Sequence, residues 1–248
     1  MANENGTWIM YGVDWDDPEC IHSVDEAINY INEVGFLPLF KNDIPGFSLE
    51  ERTVPDYWWS EDEKLDPWMW REIIAKSGKV AYGKFFDKKA GFISLEWLPF
   101  FANYRRDGYD FDALWDDEKA SVRQKKIMDL FTDGNEDAEL FSNEIKEKAG
   151  FGKGKEKGFE GVITNLQMQL YLCPYDFRKR TNKKGATYGW PVAVYATPEH
   201  IYGRELVTAA YNEAPEKSAE RIIKHIEDVY PIAAKKQIGK ILGGKIRC

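Results

Sequence analysis

The stretch from Lys119 to Thr197 constrains this chain most. Its patterns run helix, helix, basic glycine turn, helix, strand, basic hairpin tip, strand. Ala120, Ile127, Met128 and Phe131 fall on one face and predict a helix over about 118–131. An acidic loop follows, from Asp133 to Glu139. Ser142 then caps a short helix over 143–149 that Gly150 closes. The turn Phe151 to Lys157 (FGKGKEK) leads to a helix over 157–170 with Phe159, Ile163, Leu166 and Leu170 as its apolar stripe. Two strand patterns, Tyr171 to Phe177 and Trp190 to Tyr195, flank a polar loop from Arg178 to Gly189. This order fits a winged helix-turn-helix, although seven residues make a longer turn than a tight helix-turn-helix uses.

In such a unit the third helix reads the major groove with small and polar side chains. Opposite its apolar stripe it carries Lys157, Gly161, Thr164, Asn165 and Met168. Thr164 and Asn165 are the candidate base readers. Lys153, Lys155 and Lys157 stand where phosphate meets a helix N-terminus. Arg178, Lys179, Arg180, Lys183 and Lys184 would line the wing. A solvated basic hairpin on a scaffold used only for packing is the competing reading.

Charge distribution sharpens the picture. The net charge is −8, yet residues 1–140 hold 15 Lys/Arg against 30 Asp/Glu, while residues 141–189 hold 10 against 5. A basic surface on an acidic body makes any DNA contact local and salt-sensitive. Nine tryptophans imply a core rich in large rings or a stacking surface for bases.

Upstream, Ser23 and Glu26 form a capping box ahead of Val24, Ala27, Ile28 and Ile31 at helical spacing, and Gly35 ends that helix. Phe36 to Phe40 reads as a buried extended segment, and Lys41 to Leu65 as an irregular connection. Asp66 and Pro67 start a helix that Gly78 ends. Lys79 to Phe86 reads as a strand, Ser94 as the cap of a helix to about Arg106, and Asp107 to Asp117 as an acidic loop. From Pro215 the tail is helical, with a break at Pro231. The fold class is therefore α+β, mainly helical, with winged helix-turn-helix units in tandem and short antiparallel wings. Residues 1–116 form an N-terminal α/β part, for which a degenerate winged helix is one reading. Residues 117–200 form the winged-helix domain, and 201–248 a helical tail packed on the body.

Other chemistries find little support. The glycine-lysine turn lacks a P-loop's Gly-Lys-Ser/Thr and the GxGxxG spacing. The acidic clusters at Asp14 to Asp17 and Asp107 to Asp117 lack calcium-loop spacing. His22, His200 and His225 are far apart in sequence, and no cofactor, metal site or nucleophile triad is expected. Three scattered cysteines, and the lack of a secretory or membrane-spanning pattern, lead us to expect a cytoplasmic protein without membrane association.

Five segments carry a family resemblance. They are VGFLPLF at Val34, DPWMWREIIAKSGKVAYGKFF at Asp66, GFISLEWLPFFANYRRDGYDFD at Gly91, KGFEGVITNLQMQLYLCPYDFRKR at Lys157 and WPVAVYATPEH at Trp190. Over about residues 25–200 the chain resembles the AlkZ-related bacterial proteins. More remotely, it is similar to the YcaQ/AlkZ winged-helix DNA glycosylases that act on crosslinked and alkylated bases. The resemblance implies tandem winged helices around a DNA channel and hydrolysis of an N-glycosidic bond without metal or cofactor. Those glycosylases carry a Gln-x-Gln or Gln-x-Asp pair after an early helix and glycine. Here Pro38 and Phe40 occupy the comparable positions. Neither can orient water, so both are expected to pack as apolar core, and no catalytic residue carries over.

The expected function is non-catalytic winged-helix binding of DNA, linked to damage or repair. A divergent DNA glycosylase using a carboxylate from Asp107 to Asp117 is one alternative. A protein-interaction module on a winged-helix scaffold, with a protein partner, is the other.

Overall fold

The computed structural model describes residues 2–4, 7–132, 134–136, 138–182 and 185–243. It is a mixed α/β chain with small antiparallel sheets. A short hairpin, β1 (Ala2–Glu4) and β2 (Thr7–Ile9), precedes the first helix.

Helix α1 (Val24–Val34) begins where Ser23 accepts a hydrogen bond from the Glu26 amide at 3.2 Å, satisfying one of the unpaired amides of the first turn. The Glu26 carboxylate in turn accepts from the His22 amide at 2.8 Å. Strand β3 (Phe36–Pro38) follows. The connection expected to be irregular contains two 3₁₀ turns, Glu50–Arg52 and Pro55–Tyr57. Asp66 caps α2 (Pro67–Ser77) through the Trp68 amide at 2.9 Å. Strands β4 (Val80–Phe86) and β5 (Lys89–Ser94) close a tight hairpin. Gly91 has no alternative there, because a Cβ would collide with the Phe86 ring and come within 2.8 Å of the Leu37 carbonyl. Ser94 ends β5 rather than capping a helix, and α3 (Leu98–Arg106) starts four residues later.

The second half has the same strand arrangement with one more helix ahead of its hairpin. Helix α5 (Val122–Met128) leads to β6 (Leu140–Phe141), α6 (Ser142–Lys148), α7 (Phe159–Met168) and the hairpin β7 (Cys173–Thr181) and β8 (Thr187–Ala196). The sheets are ordered β3-β5-β4 and β6-β8-β7, so in each the last strand lies between the other two. Before the repeat, α4 (Phe111–Asp116) occupies the acidic stretch expected to be a loop. Burial of Phe111 and Leu114 against the second core decides this, since six residues would not hold a helix alone. The helices α5, α6 and α7 are those expected near 118–131, 143–149 and 157–170, with α5 and α7 trimmed at both ends. Ser142 is the first residue of α6 rather than its cap.

Two cores hold the molecule together. One joins α1, α2, α3, β3, β4 and β5 around Phe36, Trp70, Phe86, Phe92 and Phe101. The tail completes it: after α8 (Pro198–Tyr202) and α9 (Arg204–Val207), α10 (Pro215–Val229) and α11 (Lys235–Ile241) bury Ile222, Ile226, Ile238 and Ile241 in the same cluster. The other core gathers Phe111, Ile127, Met128, Phe131, Phe159, Ile163 and Leu166. Arg106 joins the parts. Its guanidinium donates to Glu199 at 2.5 Å, to Tyr211 at 3.1 Å and to the Leu170 carbonyl. Among the described residues, no helix is long and apolar enough to cross a membrane.

Candidate functional site

Where the two repeats meet, α7 lies against β4. The Lys84 amide donates to Gln167 Oε1 at 3.0 Å, and Arg105 donates to the Met168 carbonyl at 2.9 Å. This contact covers part of the face expected to be open. Thr164 is a correction: it is 7% exposed, and its hydroxyl accepts from Lys84 Nζ at 3.4 Å. Asn165 and Gly161 remain exposed.

The seam opens into a groove of about 460 Å³. Its walls carry Phe40 and Trp68 from one repeat and Phe177 and Tyr195 from the other, with Gln167 also lining it. Phe40 stacks on Trp68 at 6.2 Å and 27° between planes. The Arg71 guanidinium is sandwiched behind, 3.8 Å from the Trp68 ring and 4.7 Å from that of Phe177. Next to it, burial pushes the Glu72 carboxyl upward, with Arg71 opposing. Gln167 is fully engaged, its amide donating to the Ile163 carbonyl and the Tyr195 hydroxyl at 3.4 Å each.

Lys41, Lys84, Lys88 and Lys89 also line it, and no Asp or Glu does. None of the four makes an ion pair among the described residues. Four lysines and several aromatic rings thus share one groove on a chain of net charge −8. The sequence did not reveal it, because Lys41 and the Lys84 to Lys89 segment are brought together only by the pairing of β3 and β4 with β5, and the opposite wall comes from the distant second hairpin.

The other expected binding residues divide. Lys153, Lys155 and Lys157 are exposed at the start of α7. Their turn is pinned by Glu156, which accepts from Arg123 at 2.9 Å and Lys126 at 2.6 Å. Arg178 is partly neutralised by Asp176 at 2.5 Å and Glu139 at 3.2 Å, and hydrogen bonding to Asp176 raises its pKa. Lys179 is exposed, while Arg180 lies 5.1 Å from the Tyr188 ring centroid. All three of these sit on β7 itself rather than in a loop, because the strands extend to Thr181 and from Thr187. Lys183 and Lys184 lie outside the described residues.

Pro38 and Phe40 separate as well. Pro38 is buried, whereas Phe40 is half-buried, packed against the first core on one side and lining the groove on the other. Two carboxylates of the 107–117 stretch are engaged elsewhere: Asp110 accepts from Arg204 at 2.7 Å, and Asp117 from Tyr109 at 2.9 Å. Among the described residues, no group of three or more His, Cys, Asp or Glu could hold a metal ion.

A family model described as AlkZ related matches residues 21–243, which spans both repeats and nearly all of the tail. The chain belongs to the AlkZ-related family. No curated protein matches it, and no solved structure does. The family match thus includes α10 and α11, which the sequence-based resemblance left out, and it accords with a tail that completes the first core.

Proposed function

We propose that this AlkZ-related protein is a non-catalytic tandem winged-helix protein that binds DNA in the lysine-lined groove between its repeats. The groove carries the reading: four lysines and no carboxylate line an aromatic channel, in a chain with net charge −8. In both halves helical segments are followed by a hairpin whose second strand is central in its sheet, which supports the winged-helix reading. The exposed lysines at the start of α7, and Lys179 and Arg180 on the second hairpin, extend the basic surface. Thr164, packed against Lys84, supports the seam and does not read bases. The link to DNA damage rests on the family.

Pro38 and Phe40 support the absence of catalysis. Phe40 lines the groove and Pro38 is buried two residues before it, at the positions comparable to the glycosylases' polar pair, and neither offers a group to orient water. Gln167 has its amide committed to neighbours.

Salt dependence tests the proposal. Each phosphate contact contributes about 0.9 to the slope of log affinity against log salt on duplex DNA. Replacing Lys41, Lys84, Lys88 and Lys89 with Ala should flatten that slope by up to roughly 3.6. Fluorescence anisotropy across a salt series measures it. Wild-type protein with no affinity at low salt removes the reading. Free-base release from alkylated DNA, lost on changing residues 36–40, removes its non-catalytic part.

A further inference from the structure

The second hairpin contains a backbone irregularity toward its far end. Arg178 pairs with Val192 and Arg180 with Tyr188, so the single residue Lys179 opposes three: Gly189, Trp190 and Pro191. Such a bulge breaks the ladder and re-aims side chains. Gly189 adopts φ +75°, and a Cβ there would approach Arg180 Nη2 to 3.5 Å. Pro191 has no amide hydrogen to return to the ladder. Between them stands Trp190, 88% exposed.

An isolated exposed apolar residue needs no explanation by itself. The setting of this one does. Tyr188, 46% exposed, lies two residues away with the Arg180 guanidinium near its ring. Lys179 faces the bulge, and no Asp or Glu occurs between Asp176 and Glu199. The same hairpin forms a groove wall at its base, through Phe177 and Tyr195. A flat ring held out on a kink, with cations beside it and no acid, matches a partner that is both anionic and planar. A membrane surface would want a broader apolar face than one ring supplies.

We infer that Trp190 is a stacking residue for an unpaired nucleobase, held out by the Gly189–Pro191 bulge while Lys179 and Arg180 meet the flanking phosphates. This rests on the DNA reading above and adds a preference for strands with unstacked bases.

The test compares a labelled oligo-dT single strand with a duplex of equal length, using the full chain as wild type, Trp190→Ala and Trp190→Phe. Base–aromatic stacking predicts that Trp190→Ala weakens single-strand binding roughly tenfold. Trp190→Phe should restore most of the loss. The salt slope should not change, since no charge is removed. Duplex affinity should change much less. Equal single-strand affinity of Trp190→Ala and wild type overturns the inference and leaves the DNA reading standing, provided that duplex binding persists. No binding of either DNA by wild type overturns both. Binding to anionic phospholipid vesicles or self-association, abolished by Trp190→Ala with oligonucleotide affinity intact, overturns the inference and assigns the ring to that role.

Discussion

The two hairpins share one topology and differ in what surrounds them. In β4–β5 almost every side chain is buried, including Phe85, Phe86 and Phe92. Its tip is held by the tail, the Asp87 amide donating to the Ile241 carbonyl at 3.0 Å. In β7–β8 the base is buried, but from Arg178 to Trp190 the described residues are mostly exposed. Covering a hairpin turns it into core, where shape and volume matter. Leaving it uncovered frees its side chains for charge and stacking. The tail, whose buried residues complete the first core and whose Ile241 carbonyl holds the tip of β4–β5, makes the difference.

The largest expected effect follows from that contrast. Phe86→Ala empties a fully buried site and should cost about 3–5 kcal/mol. Tyr188→Ala, at the corresponding far part of the other hairpin, should cost at most about 1 kcal/mol, the value of an exposed cation–π interaction. Urea unfolding midpoints measure both. Equal losses would show that the second hairpin is structural and break the comparison.

A smaller effect separates the residues at the start of α7 from those within it. Replacing Lys153, Lys155 and Lys157 with Ala should lower the salt slope of DNA binding by about 0.9 for each phosphate that these lysines neutralise, with stability unchanged. Thr164→Val should do the opposite. It removes a weak hydrogen bond worth about 0.5–1.5 kcal/mol at the seam and leaves the slope nearly intact. Asn165→Ala should alter any sequence or lesion preference without a stability cost. A slope indifferent to all three lysines would confine phosphate binding to the groove and hairpin.

Local signals were legible where local physics decides. The caps at Ser23 and Asp66 formed as the residue types require. The apolar stripe through Phe159, Ile163 and Leu166 produced α7. Composition also located the basic hairpin. What escaped depends on packing. Asp107 to Asp117 looked like a solvated loop, yet two buried apolar side chains organise α4 within it. Thr164 looked open because its own helix has an apolar stripe elsewhere, and nothing in that helix announces β4. Phe40 looked like core because aromatic side chains usually are, and its ring does pack on the first core while also lining the groove. The groove lysines lie in an acidic half of the chain, where average charge conceals them.

The smallest expected effect lies at the base of the open hairpin, at Glu139. Hydrogen bonding to Tyr175 holds its carboxyl below the usual range, and Arg178 and His200 add to this. Arg178 donates to it at 3.2 Å, and His200 lies 3.5 Å away. A lowered folded pKa fixes the sign. The stabilisation is present above the ordinary carboxylate pKa and is lost as pH falls through the folded value. Glu139 is 36% exposed, so solvent screening limits the effect to a fraction of about 1 kcal/mol. Glu139→Gln should therefore lower stability slightly at pH 7 and reduce the loss seen on acidification below pH ~4.5. It should also leave Arg178 with Asp176 as its only carboxylate partner, strengthening DNA binding slightly at low salt. Thermal melts at neutral and acid pH check the first part, and anisotropy at low salt checks the second. Parallel acid dependence of wild type and variant, with unchanged binding, would mean that Arg178 takes its orientation from Asp176 alone and that Glu139 does not moderate the charge of this hairpin.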